Sequence, residues 1–236
     1  MVAYLKSSAN GLDPLSGSEL WHYDWKEQYD PHGTWPLYQE PFLFYALPFR
    51  CGSHALELSR TRDGVRATVA WTNNALSMDM LSGVIVDGFI YGFDVRDFQT
   101  TANRPTRGLF KCVELATGRQ RWVGPLPGHA SVLACGQRLL LLNEIGVLIA
   151  AEASPTAYQE MARAPIFPTQ PSWTAPALCG DLLLARSHRE FVCIDLGDSA
   201  RETVSTGNGN LKAPTHRSRA EGWFARHQSP AFYMPG

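Results

Sequence analysis

Two stretches decide the fold: Leu12-Asp13-Pro14-Leu15-Ser16-Gly17-Ser18-Glu19-Leu20-Trp21 and Val113-Glu114-Leu115-Ala116-Thr117-Gly118-Arg119-Gln120-Arg121-Trp122. Each reads as a strand, a tight turn around a glycine (Gly17, Gly118) and a second strand ending in Trp. A looser copy runs from Leu56-Glu57-Leu58 through Asp63-Gly64 to Val69-Ala70-Trp71. The tryptophans at 21, 71 and 122 therefore recur at about 50 residues, a period that signals stacked supersecondary units. A fourth copy turns at Ser154-Pro155-Thr156-Ala157-Tyr158 and ends at Ala162-Arg163 without Trp. A fifth starts at Cys193-Ile194-Asp195-Leu196-Gly197-Asp198.

Between these copies lies a second segment type: apolar strand, glycine turn, apolar strand. Examples are Ser82 to Phe93 around Gly88, Ser131 to Leu142 around Gly136, and Thr174 to Leu184 around Gly180. Glycine at such turns supplies the positive φ that other residues resist. Two hairpins per period make a four-stranded antiparallel unit of about 45 residues. A sheet of that size cannot bury both faces alone, so the units must stack side by side about an axis. The spacing predicts an all-β propeller of four to five blades over residues 1–199. Trp21, Trp71 and Trp122 are expected to pack between neighbouring blades, where a buried indole is worth a few kcal/mol.

The pattern Asp/Glu, Thr/Ser-Gly, Trp, followed by a glycine-turn hairpin, resembles the PQQ-like repeat of quinoprotein alcohol-dehydrogenase-like propellers. The segments Asn73 to Asp94 and Glu152 to Arg163 are also similar to that group, and the resemblance spans residues 10 to 198. It implies seven or eight blades, so the four to five here are expected to be part of a longer propeller, a member that has lost its N-terminal blades, or a unit completed by self-association. It also implies an extracytoplasmic setting, although Met1 to Asn10 contains no apolar signal-peptide core. Enzymes of the group hold a quinone and Ca²⁺, with a Glu/Asn/Asp ligand set and often a bridge between adjacent cysteines. This chain has no Cys-Cys pair and no carboxylates that map onto that set. A hard cation takes six or more oxygen ligands, and no Asp-rich loop supplies them. The expectation is a non-catalytic binding or scaffold propeller without PQQ, Ca²⁺ or another cofactor; the alternative is a segment of a quinoprotein oxidoreductase.

Composition agrees with a globular protein that has a real core: 44% hydrophobic and 18% charged residues. A formal net charge of −1 argues against nucleic acid or an anionic membrane held by bulk electrostatics. No apolar run is long enough to cross a bilayer. The expected partner is thus a protein, a small molecule or a polysaccharide. Five cysteines occur without a CxxC pair or zinc spacing, and they read as structural thiols. Histidines at 22, 32, 54, 129, 188, 216 and 227 are scattered, with His129 and His188 flanking turns of different blades. Ser82 and Ser131 occupy equivalent repeat positions, as structural hydroxyls would, and no Gly-x-Ser-x-Gly elbow exists. Aromatic residues are dense from Trp21 to Phe49, which suits a blade core or a sugar- or peptide-binding face. Val95 to Arg107 reads as a loop insertion, and residues 200–236, polar and rich in Ser, Arg, Gly and Pro, as a tail without order.

Overall fold

The computed structural model describes residues 1–5, 7–25, 33–62, 64–97, 107–168, 171–197 and 217–219. All its regular structure there is strand. Sheet I is three-stranded: β1 (Val2–Tyr4), β2 (Ser8–Leu12) and β3 (Glu19–Asp24). Sheet II holds β4 (Leu37–Gln39), β5 (Phe42–Ala46), β6 (Ser53–Thr61) and β7 (Gly64–Asn73). Sheet III holds β8 (Val84–Val86), β9 (Phe89–Asp97), β10 (Arg107–Glu114) and β11 (Gln120–Pro127). Sheet IV holds β12 (Ala130–Cys135), β13 (Arg138–Asn143), β14 (Val147–Glu152) and β15 (Gln159–Pro165). Sheet V holds β16 (Ala177–Cys179), β17 (Leu182–Arg186), β18 (Phe191–Asp195) and β19 (Arg217–Arg219). Sheets II, III and IV are antiparallel meanders in chain order.

The sheets stack in succession. The first strands β4, β8 and β12 touch one another in turn, and β3 touches β7 at the far side. Each junction has its own apolar core. Trp21, Trp25, Leu43, Tyr45 and Leu56 fill the first, between sheets I and II. Phe44, Leu76, Met78, Ile90 and Val113 fill the second. Tyr91, Phe110, Leu139 and Ile149 fill the third, and Leu140, Leu148, Phe167, Leu183 and Ile194 the fourth. Sheets of alternating pattern, buried on both faces by their neighbours, make this a β-propeller-like fold of five sheets.

The repeated turn has one geometry in both places where the sequence repeats most closely. The Gly17 N–H donates to the Asp13 carbonyl and the Asp13 N–H to Ser18; likewise Gly118 donates to Glu114, and Glu114 to Arg119. Gly17 and Gly118 have φ of +72° and +70°. The tryptophan then follows a β-bulge. In β3, β7 and β11 the register slips just before the indole, leaving Leu20, Ala70 and Arg121 without a partner opposite. Sheet IV slips in the same place, at Met161. A bulge turns the next side chain, and a small residue lies opposite each one: Gly11 faces Trp21, Ala55 faces Trp71, Cys112 faces Trp122 and Ala150 faces Ala162.

Trp71 and Trp122 bridge to the next sheet. The Trp71 Nε1–H donates to the Leu115 carbonyl at 2.7 Å, and that of Trp122 to the Ser154 carbonyl at 2.9 Å. Both acceptors lie in the outer turn of the following sheet. Trp21 lies over Gly11 within sheet I and reaches the first junction through its ring.

Several sequence expectations need correction. The strands do not end at Trp but run on to Asp24, Asn73 and Pro127, because the bulge lets pairing resume. Gly88 is not the counterpart of Gly136 and Gly180. The two-residue turns are Asp87-Gly88, Gly136-Gln137 and Gly180-Asp181. Asp87 takes the first, left-handed position with φ +47°, where the other sheets use glycine. The proposed insertion is shorter than Val95 to Arg107, since β9 continues to Asp97 and pairs with Arg107; residues 98–106 lie outside the described residues. Within the stretch read as a tail, Arg217–Arg219 form β19, parallel to β18, where the free edge of β18 offers backbone partners to any short extended segment. The remainder of 200–236 lies outside the described residues, as do His32, His216 and His227.

The two glycine turns allow a controlled comparison. A Cβ on Gly17 meets nothing within 4 Å, whereas one on Gly118 lies 2.6 Å from the Trp71 ring and 2.3 Å from Asn73 Nδ2. Both substitutions carry the same left-handed strain, about 1 kcal/mol. Gly118→Ala is therefore expected to destabilise the fold clearly more than Gly17→Ala in urea denaturation, and equal losses would remove Trp71 as the inter-sheet strut.

Candidate functional site

The two ends of the sheet stack are built differently. At one end lie the hairpin tips, which bind each other: the Gly88 N–H donates to Gln39 Oε1 at 2.8 Å, and Gln137 Nε2 donates to Asp87 Oδ2 at 2.5 Å. At the other end lie the connections between sheets and the loops joining second to third strands. Buried polar side chains concentrate there: Thr34, Ser53, Ser77, Asp79, Asp94, Lys111, His129, Ser172 and Ser187. Loops on a rigid strand scaffold are where binding residues are commonly carried.

A buried ion pair organises this linker face. Lys111 on β10 and Asp94 on β9 meet at 2.7 Å, with side chains 6% and 2% exposed. Both side chains also bind the linker from sheet II to sheet III. Asp94 Oδ1 accepts the Ser77 N–H at 2.8 Å, and Lys111 Nζ donates to the Ala75 carbonyl at 2.9 Å. Ser77 Oγ in turn accepts the Gly52 N–H at 3.0 Å from the loop between β5 and β6. That loop carries consecutive left-handed residues, Phe49 (φ +52°) and Arg50 (φ +69°), then Gly52 (φ +83°). A Cβ at Gly52 would lie 2.2 Å from the Asn73 carbonyl oxygen, so the loop closes tightly onto the end of β7.

Beside it opens a cleft of about 390 Å³ lined by Cys51, Ser53, His54, Thr72, Asn73 and Asn74. Ser53 is buried, and its hydroxyl has no hydrogen-bond partner. Leaving such a group desolvated costs about 1–3 kcal/mol. Asn73 is fixed, donating to the Gly118 carbonyl and accepting from the Ala75 N–H. His54 stacks on Tyr45 with centroids 5.1 Å apart and lies at hydrogen-bond distance, 3.4 Å, from the Tyr23 hydroxyl. Tyr4, Tyr23, Trp25 and Tyr45 pack behind it, so much of the aromatic density from Trp21 to Phe49 is the core of the first junction.

Two other buried ionisable groups sit on this face. Asp79 is 4% exposed, its Oδ2 has no partner, and burial raises its carboxyl above the ordinary carboxylate range. His129 lies in the connection between sheets III and IV against Trp173, and burial pulls its imidazole down to about 4. His188 lines a separate shallow cleft with Arg186, Arg189 and Phe191. On sheet I, His22 bonds Asn10 and Asp24, and the Asp24 carboxylate, with neighbouring Glu19, raises its imidazole. Ser82 Oγ accepts the Trp35 N–H at 2.9 Å, tying sheet III to the lead-in of sheet II.

The thiols are free: Cys112 is buried, Cys51 and Cys193 half-buried, Cys135 and Cys179 exposed. Among the described residues no three His, Cys, Asp or Glu side chains come together to hold a metal ion. Sequence reading found neither the Lys111–Asp94 pair nor the cleft. Both join residues from different hairpins, and only an acid or lysine at an inward-facing strand position hints at the pair.

No family model matches the chain, and no curated protein does. Among solved structures it is similar to BamB from Moraxella catarrhalis, with 17% identity and a TM-score of 0.39. That likeness covers 80% of this chain and 63% of the other, so the chain spans under two thirds of that protein. The fold assignment rests on the chain's own sheet order and junctions. No helix among the described residues is long and apolar enough to cross a membrane.

Two measurements test the energetics of the linker face. Lys111→Met leaves Asp94 buried without its cation, a loss expected at about 3–5 kcal/mol, with Asp94→Leu added to it restoring much of the stability. His129 binds its proton less readily folded than unfolded, where imidazole titrates near 6.5. Its contribution is thus present above pH 6.5 and lost as pH falls from about 6.5 towards about 4, by roughly 3 kcal/mol. Urea midpoints across that window should fall with pH in the parent and fall less in His129→Gln.

Proposed function

We propose that this chain is a non-catalytic, β-propeller-like binding or scaffold protein that engages its ligand through the linker face. The supporting observation is the asymmetry of the two ends. The hairpin tips spend hydrogen-bonding groups on one another, while the linker end holds the tied-down connections, the left-handed Phe49-Arg50 turn and a polar cleft. Strained backbone held by surrounding structure clusters at ligand-binding sites, and here it borders the cleft. The repeat resemblance supports the finer reading of a PQQ-like propeller, placed outside the cytoplasm and completed by further blades or by a second copy.

The second reading, a segment of a quinoprotein oxidoreductase, separates from the first in one titration. Adding PQQ with CaCl₂ to the purified chain is expected to give no saturable change in quinone absorbance. Saturable binding would overturn the non-catalytic reading. A crystal soak with acetamide and 2-propanol locates the binding face: fragments should gather among the sheet connections, and gathering at Asp87, Gln137 and Gln39 instead would reverse the assignment.

A further inference from the structure

We infer that the outer edge of β7 is a docking edge for an extended, acidic polypeptide segment, which adds to sheet II as a further strand. This edge lies along the rim of the stack, so the site is separate from the linker face. β7 ends sheet II and pairs only with β6. Opposed residues of an antiparallel ladder alternate between bonded and unbonded pairs. The Leu58 N–H donates to the Pro41 carbonyl, away from β7, so Ala67 opposite it is of the unbonded kind. Pairing is regular from Gly64 to Val69, and Val65 and Val69 therefore share that state. All three aim their N–H and C=O groups at the open side. A second polypeptide backbone supplies donors and acceptors in the same alternation, which is the basis of strand addition at sheet edges.

The outer strands of sheets I, III and IV are blunted in ways that β7 is not. β11 carries Pro125 and Pro127, β15 carries Pro165 and an internal Glu160–Arg163 pair, and β3 carries Glu19, His22 and Asp24. Proline, bulges and charge are the usual means of keeping sheet edges from unwanted partners. β7 has neither proline nor acid, and its bulge at Ala70 leaves Gly64 to Val69 regularly paired. Arg66, Thr68 and Val69 are exposed, so the edge is within reach. Charge then selects the partner. Arg60, Arg62 and Arg66 are exposed, and none forms an ion pair among the described residues. Arg60 is opposed to Val65 and Arg66 to Ser59, successive pairs that lie on opposite faces of the sheet, so cations flank the edge on both sides. A second copy pairing through the same edge would set arginine against arginine. An acidic strand instead meets a counter-charge on either face.

The test is a backbone-amide NMR titration of the full chain with three capped hexapeptides: Val-Glu-Val-Glu-Val-Glu, its lysine counterpart, and the acidic sequence N-methylated throughout. The acidic peptide is expected to bind saturably and to shift the amides of Val65, Ala67 and Val69. The other two should bind at least about tenfold more weakly. Arg62→Glu with Arg66→Glu, both at exposed positions, should fold normally and reverse the preference towards the lysine peptide. Ala67→Pro removes one outward N–H without removing a bond to β6, so it should abolish binding while the amide signals of the other sheets stay in place. Four results each overturn the inference: no binding of the acidic peptide, equal binding of its N-methylated form, shifts confined to other strands, or dimerisation of the free chain through β7. All four leave the linker-face reading standing, which the fragment soak tests on its own.

Discussion

A four-stranded sheet has two faces and its own residues can bury neither, so everything in this chain depends on how one sheet grips the next. The grip is most explicit at Trp71 and Trp122. Each indole fills a junction and sends its one N–H donor to a turn carbonyl of the following sheet. Its placement needs three conditions at once. A bulge turns the side chain, a small residue opposite makes room, and the neighbouring turn is tight enough to bring a carbonyl within reach. Gly118 serves the third, because its missing Cβ is the space in which Trp71 and Asn73 sit.

The same grip explains why the linker end is rigid without being closed. The connection from sheet II to sheet III begins directly after Asn73, whose side chain is already anchored on Gly118. It then passes over the Lys111–Asp94 pair, which binds Ala75 and Ser77 from below. A buried pair of this kind contributes little net stability compared with an apolar core. Its value is positional: two charges at fixed places on adjacent strands accept only one path for the backbone above them. The cleft wall inherits that path through Ser77 and Gly52.

What could be read from sequence follows from how local each signal is. The turns around Gly17 and Gly118 are closed by residues within six positions, so the motif itself reports them. The tryptophans were legible because a large side chain repeating every 50 residues has few explanations other than a repeated seam. The bulges were not, since residues as different as Leu20, Ala70, Arg121 and Met161 occupy them; what matters there is an extra residue, not its type. Asp87 misled the alignment of the inner turns because aspartate tolerates the left-handed region that glycine fills in the other sheets. The cleft joins Cys51 and Ser53 to Thr72 and Asn74, about twenty residues apart, through the length of the β6–β7 hairpin. No spacing rule announces such a meeting.

The fourth junction shows what the repeat loses when one condition is relaxed. Sheet IV keeps the bulge at Met161 and the small partner Ala150, yet the residue after the bulge is Ala162. β15 thus sends no indole from this position to sheet V. That junction relies instead on Phe167, contributed by the connecting segment, on the leucines of β13 and β14, and on Ser172, which donates to the Arg186 carbonyl. In a stack where each sheet touches only its neighbours, stability is close to a sum over junctions. The bulge and its small partner therefore form here without the side chain they position elsewhere, so the bulge answers to the twist of the sheet and does not require the tryptophan.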